Sequence, residues 1–215
     1  MTNLSESEPE SARSVTFCGL SISFDHEVLE PRLWTQAQSD WAAELLPEAP
    51  PGPVLELCAG AGQIGLGAVR GSCRNLVLVD NNPAAHRFAL MNAAANGLAS
   101  HVEARLARID TALQSSERFA LIVADPPWVP THQTSRFPED PVLAIDGGDD
   151  GLDLARSCVD VIDRHLADGG SALLQVGTTA QANLIATHAL SRVSGRLHVV
   201  ETRAFDRGVI IQLAR

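Results

Sequence analysis

Residues 54–67 read VLELCAGAGQIGLG, and the fold follows from how that stretch is parsed. Val54, Leu55 and Leu57 form a short apolar run, after which Gly60, Gly62 and Gly65 stand at the G-x-G-x-x-G spacing of a tight turn that feeds a helix N-terminus. Asp80 lies twenty positions beyond Gly60, at the end of the next apolar run, LVLVD. An acid at that distance accepts hydrogen bonds from the ribose hydroxyls of an adenosine cofactor, whichever one the loop holds.

The same alternation continues outward. Strands are predicted over 54–57, 76–79, 101–106, 119–124 and 171–176, and helices over 62–69, 83–96, 152–166 and 179–191, with Pro83 in a first turn and Gly97 just past a helix end. These are βαβ units, the pattern of a parallel sheet with helices on both faces. Strands over 196–203 and 208–213 are too close in sequence for a right-handed crossover and are expected to pair antiparallel. The total is a Rossmann-like α/β sheet of seven strands whose last strand is antiparallel, with the reversed strand expected at the edge. Upstream, VTFCGLSISF over 15–24 alternates around Gly19 as a short β-hairpin, and Trp34, Ala37, Trp41 and Leu45 mark one helix before a proline-rich break. Residues 1–14, rich in Ser and Glu, carry too little apolar surface to fold and are expected to be a disordered tail, leaving 15–215 as a single domain.

Composition narrows the classes. The 215 residues are 45% hydrophobic and carry a formal net charge of −10, so a sizeable core is available while an extensive contact with phosphate backbones is disfavoured. Cys18, Cys58, Cys73 and Cys158 form no C-x-x-C pair, which suggests small thiols in a reducing compartment rather than a zinc site. No signal peptide opens the chain and no apolar run reaches about 18 residues, so a soluble cytoplasmic protein is expected, with no membrane contact. Asp146, Asp149, Asp150 and Asp153 fit no EF-hand spacing, and no metal is expected.

Glu56 decides between cofactors. It sits near the end of the first strand, four residues before Gly60. A carboxylate there repels the pyrophosphate of NAD, whereas it welcomes the cationic amino group on the methionine end of S-adenosylmethionine (SAM). SAM is the expected cofactor, and an NAD-dependent oxidoreductase is the weaker reading. A noncatalytic SAM-binding module is also compatible with an intact loop.

A second constellation, Asp125-Pro126-Pro127-Trp128, follows the strand FALIVA, which is expected beside the strand bearing Glu56. Two prolines fix φ and lack N–H groups, so the turn is stiff and presents acceptors. The Asp125 carboxylate and the Pro126 carbonyl together suit the two hydrogens of a planar –NH2 group, and Trp128 suits its face. Such a nitrogen is a poor nucleophile because its lone pair is delocalised, and fixed acceptors gain strength as positive charge develops on it.

With both constellations in view, the chain resembles a class I SAM-dependent methyltransferase. Phe17-Cys18-Gly19 and the segment Val28-Leu29-Glu30-Pro31-Arg32 are similar to the hairpin and "vLiPR" segment of the HemK/PrmC-type protein-glutamine N5-methyltransferases. The run DPVLAIDGGDDGLD over 140–153 is similar to that family's "EPxxALxGGxDGL". The resemblance implies that Glu56, Ala59, Gly60 and Gly62 line the methionine end of SAM, Asp80 its ribose and Asn81 its adenine side. It implies that Asp125, Pro126 and Trp128 match the family's "NPPY" residues, which hold a glutamine side-chain amide. Departures accompany it: Cys58 replaces a usual Gly, Asp125 replaces Asn, and Arg108 or Asp110 occupies the region of an adenine-contacting acid. No counterpart of the helical N-terminal domain with which those enzymes grip a release factor is expected in this sequence. The expected activity is N-methyl transfer to a protein glutamine or a related amide or amine. Transfer to a small-molecule amine or a nucleobase amine is the alternative.

Overall fold

The computed structural model describes residues 12–192 and 196–215. A two-stranded antiparallel hairpin, β1 (Arg13–Phe17) and β2 (Leu20–Phe24), precedes the sheet, and a helix α1 (Gln36–Leu45) follows a single 3-10 turn. The sheet strands are β3 (Val54–Leu57), β4 (Leu76–Asp80), β5 (Val102–Leu106), β6 (Phe119–Ala124), β7 (Leu166–Val176), β8 (His198–Ala204) and β9 (Val209–Ala214). Between them run α2 (Gln63–Val69), α3 (Pro83–Ala95), the short α4 (Val142–Ile145), α5 (Asp153–His165) and α6 (Thr179–Leu190). The tail expected over 1–14 lies outside the described residues as far as residue 11; Arg13 and Ser14 already belong to β1.

The strand order is β5-β4-β3-β6-β7-β9-β8. Pairs from β5 through β7 are parallel, whereas β9 is antiparallel to both β7 and β8. The reversed strand therefore lies one place in from the edge, which corrects its expected edge position; the edge itself is β8. The reason is topological: α6 carries the chain across from β7 and sets β8 down one strand away, and the short turn after β8 returns β9 into the gap. β3 and β6 are buried along their whole length, as continuous apolar runs in a parallel sheet must be when helices cover both faces.

One face packs against the hairpin, α1, α2 and α3; the other packs against α5 and α6. The hairpin is riveted to α3 by amides rather than by apolar contact alone. The Ser23 N–H donates to Asn92 Oδ1 at 2.8 Å, and Asn92 Nδ2 donates to the carbonyls of Ser23 and Ala61, each at 2.9 Å. Asn92 thus ties the hairpin to the glycine loop. Trp41, placed on a helical face by its spacing, is buried, with the Arg203 guanidinium 3.8 Å from its ring centroid.

Two boundaries shift. α5 ends at His165 and β7 starts at once, because Leu166 pairs with Phe119 while Ser171 pairs with Leu121, and the residues between bulge out through Gly169 in the left-handed region. The Gly-Gly pair that looks like a helix stop in the sequence is a bulge inside the strand.

Candidate functional site

The carboxyl ends of the parallel strands lie on one side of the sheet, and a cavity opens there. Its wall includes Cys58, Gly60, Gln63, Asp80, Asn81, Arg108, Ile109, Asp110, Asp125 and Pro127. Five of the ten residues singled out from sequence (Gly60, Asp80, Asn81, Asp125 and Pro127) line this cavity; Glu56, Ala59, Gly62, Pro126 and Trp128 are not part of its wall. Val28 and Leu29 on one side, and Pro141, Leu143 and Ala144 on the other, complete it. Those two flanks are joined by the ion pair of Arg32 with Asp140, at 2.5 Å.

The glycine loop is held by backbone donors on acids. Gly62 is the N-cap of α2 with φ +80°, a conformation costly for any residue with a Cβ. The Gly60 N–H donates to Asp80 Oδ2 at 2.8 Å, and the Asn82 N–H to Asp80 Oδ1 at 2.9 Å. Each oxygen of an ionised carboxylate has two lone pairs, so Asp80 keeps acceptor capacity for a further donor. Burial pushes its pKa up from the ordinary value, opposed by the N–H groups of Asn82, Gly60 and Asn81.

Glu56 is 2% exposed, and its Oε2 accepts the Gly65 N–H at 2.9 Å. A Cβ at Gly65 would lie 2.5 Å from that same oxygen, so the third glycine of the motif is required by the close approach of α2 to β3. Burial pushes the Glu56 carboxyl well above the usual range; the Gly65 N–H pulls it down, and the nearby charges of Asp125 and Asp80 push it up. A cation entering beside it would favour the ionised form. Gln63, on the first turn of α2, offers a buried Oε1 with no hydrogen-bond partner. An orphaned buried acceptor on a cavity wall fits a ligand donor group. Farther along the same wall, Arg108 and Asp110 pair with each other, at 3.2 Å and 3.1 Å, with Ile109 between them.

The Asp-Pro-Pro-Trp segment follows β6, one strand from Glu56, whose Cα pairs with Val123. Asp125 Oδ1 accepts the Gln175 Nε2 donor at 2.8 Å, and burial pushes the Asp125 pKa up from 3.8 to about 7, opposed by that hydrogen bond. The Trp128 ring does not reach the cavity wall but packs against Gly177, where any Cβ would collide with it. Gln181 Nε2 donates to the carbonyls of Trp128 at 2.9 Å and Asp150 at 3.1 Å, clamping this segment to the loop before α5. That loop also forms a parallel bridge, Val129 with Asp146. Asp146 accepts Thr131 Oγ1 at 2.7 Å, and Asp150 pairs with Arg156 at 2.6 Å, so these acids brace the loop. No group of metal-holding side chains occurs among the described residues.

The family model for the methyltransferase small domain matches residues 30–139, just over half of the chain. The chain belongs to the methyltransferase small domain family. A release factor glutamine methyltransferase from Cereibacter sphaeroides is 34% identical over 188 residues, covering 83% of this chain and 65% of the relative. A ribosomal protein uL3 glutamine methyltransferase from Francisella tularensis subsp. tularensis is 29% identical over 184 residues, covering 81% of this chain and 57% of the relative. The chain therefore spans only about three-fifths of the length of these relatives. Among solved structures, a T. thermophilus 16S rRNA N2 methyltransferase in complex with AdoMet and guanosine is similar with a TM-score of 0.69 at 20% identity, covering 95% of this chain and 50% of that one. The ribosomal protein L11 methylase of Lactobacillus delbrueckii subsp. bulgaricus is similar with a TM-score of 0.64 at 14% identity, covering 89% and 83%. These likenesses establish the Rossmann-like methyltransferase fold. No helix among the described residues is long and apolar enough to cross a membrane.

Sequence reasoning does not reach Gln63, Gln175, Gln181 or Asn92. Gln63 alone carries a usable signal, as the one long polar side chain inside the glycine motif. The other three act across 31 to 69 positions of sequence, and no local pattern marks them.

Proposed function

We propose that this protein is a SAM-dependent N-methyltransferase whose acceptor is the side-chain amide of a protein glutamine. The observation that carries the proposal is that Asp125 lines the same cavity as Gly60 and Asp80, one strand away from the glycine loop. In this reading the ribose is held by the remaining acceptor capacity of Asp80, and the adenine lies toward Asn81, Ile109 and the Arg108–Asp110 pair. The amino group of the methionine end is met by Gln63 Oε1 and by the negative potential of the buried Glu56. SAM, when bound, supplies an electrophilic methyl group on a sulfonium centre.

The chain's own contribution is to orient the acceptor. Asp125, which lines the cavity, receives an N–H bond of the planar amide, so its out-of-plane density faces the cofactor side of the cavity. As the nitrogen gains positive charge, that hydrogen bond strengthens, contributing about 1.5–3 kcal/mol. Trp128 acts as the buttress that sets the turn, through its packing on Gly177 and the bond from Gln181 to its carbonyl.

A second reading keeps the reaction and changes the acceptor to an exocyclic amine of a nucleobase. The carboxylate at position 125, in place of the family's Asn, favours it; the net charge of −10 weighs against a polynucleotide. A cytoplasmic location fits relatives named for release factors and a ribosomal protein.

Calorimetry with SAM and with NADH tests the cofactor assignment. Binding of SAM without NADH is expected; tight NADH binding without SAM sinks the proposal. Labelled SAM with a cell lysate, followed by mass spectrometry, identifies the acceptor, and label on nucleobases rather than glutamine selects the second reading.

A further inference from the structure

Asp125 is anchored through a side chain rather than through the backbone. Gln175, next to last in β7, donates from Nε2 to Asp125 Oδ1 at 2.8 Å across the β6–β7 pair. Gln175 is 1% exposed, on a strand flanked on both sides, with its Cα paired to Ile210 of β9. A buried amide in a three-strand register has little freedom to move, and burying it is costly unless its polar ends are used. Its donor end is used on the one acid that faces the acceptor side of the cavity.

We propose that Gln175 is the positioning residue of the acceptor site: by donating to one oxygen of Asp125 it leaves the other for the cavity, which commits the site to acceptors that bring a hydrogen-bond donor, such as an amide N–H. The inference rests on the methyltransferase reading for what the acceptor is, but the coupling of Gln175 to Asp125 stands on its own geometry. Gln175 also favours the ionised carboxylate, the form that accepts. The ionisable groups facing Asp125 are Glu56 on β3 and Cys58 just after it, both of which sense its charge. Neither supplies a positive charge, so Gln175 is the group that opposes the burial of Asp125.

Gln175→Met removes the donor at similar volume. It is expected to lower kcat/KM about 10- to 100-fold, the worth of a hydrogen bond to a charged group, and to move the acidic limb of the pH profile upward while leaving the Kd for SAM unchanged. A pair of double variants guards against a merely structural loss. When Asp125→Asn is combined with Gln175→Glu, the introduced carboxylate accepts from the introduced amide and turns that amide's oxygen toward the cavity. When Asp125→Asn is combined with Gln175→Met, nothing orients the amide. The first combination is expected to be about tenfold more active than the second, because one oriented hydrogen bond is restored.

Carbon-13 NMR titration of the Asp125 carboxyl in the full chain provides a readout independent of turnover. A higher midpoint in Gln175→Met supports the pair even if the wild type labels no acceptor, in which case it is the functional reading that fails. An unshifted midpoint, or equal activity of the two double variants, overturns the role of Gln175.

Discussion

The two halves of the cavity are built by different means. On the β3–β4 side, the loop 58–62 and Asp80 are joined by main-chain donors: Gly60 and Asn82 on Asp80, and Gly65 on Glu56. On the β6–β7 side, two prolines remove main-chain donors from the turn, and Asp125 is held by a side chain 50 residues away. A backbone-built site is rigid and indifferent to most neighbouring side chains, which suits a cofactor that never changes. A side-chain-built site is adjustable by single substitutions, which suits an acceptor that differs between relatives acting on release factors and on a ribosomal protein.

That contrast breaks most sharply at Asp125. Asp125→Ala is expected to reduce methyl transfer about 100-fold or more, with SAM affinity by calorimetry unchanged, since two roles of one charged acceptor are lost together. Asp80→Ala is expected to do the reverse and weaken SAM about 10- to 100-fold, while also freeing the Gly60 and Asn82 N–H groups it now satisfies. Loss of transfer at unchanged SAM affinity in Asp80→Ala would erase the division between the halves.

pH sharpens the same comparison. With its pKa raised from 3.8 to about 7, Asp125 is neutral in acid and a full acceptor only above neutrality, so kcat/KM is expected to rise about tenfold from pH 5.5 to pH 6.5 and level off above about pH 7.5. Stability runs the other way. A carboxyl whose pKa is raised in the folded state favours folding below the ordinary carboxylate range and loses that contribution as pH rises through the folded value. Glu56 and Asp80, also raised, act in the same direction. Thermal melts are expected to show the wild type losing Tm between about pH 4 and pH 8, and Asp125→Asn losing less, because it has no charge to bury there. An Asp125→Asn variant that loses as much Tm as the wild type across that range contradicts the assignment.

The smallest effect tests the backbone half alone. Gly65→Ala forces a methyl group within 2.5 Å of Glu56 Oε2 and is expected to cost about 1–3 kcal/mol of stability, as overpacking does, read from urea melts. Gly97→Ala, whose Cβ would meet nothing but whose φ is +72°, separates the cost of contact from the cost of backbone strain.

The same division explains what the sequence made legible. The glycine loop, Asp80 and the sheet topology rest on contacts within about one βαβ unit, where spacing and period carry the information. The seven strands and the antiparallel last strand follow from such patterns, and so does the proximity of Asp125 to the glycine loop. Three things do not follow. The position of the reversed strand depends on where α6 sets down β8, which no local pattern encodes. The packing of the Trp128 ring on Gly177, a partner 49 positions on, is set by a fold contact that no local pattern marks. Gln175 is indistinguishable in sequence from any polar residue at the end of an apolar strand; only the pairing of β6 with β7 brings it to Asp125.

In the proposed mechanism one half of the cavity holds SAM and the other aims a nitrogen at it. Its most direct test is the transfer of label from methyl-labelled SAM to lysate proteins by the wild type and by Asp125→Ala, both at saturating SAM, with the modified residue located by mass spectrometry. Label on glutamine side-chain nitrogen with the wild type, and its loss with Asp125→Ala, is the predicted result; equal labelling by the two proteins contradicts it.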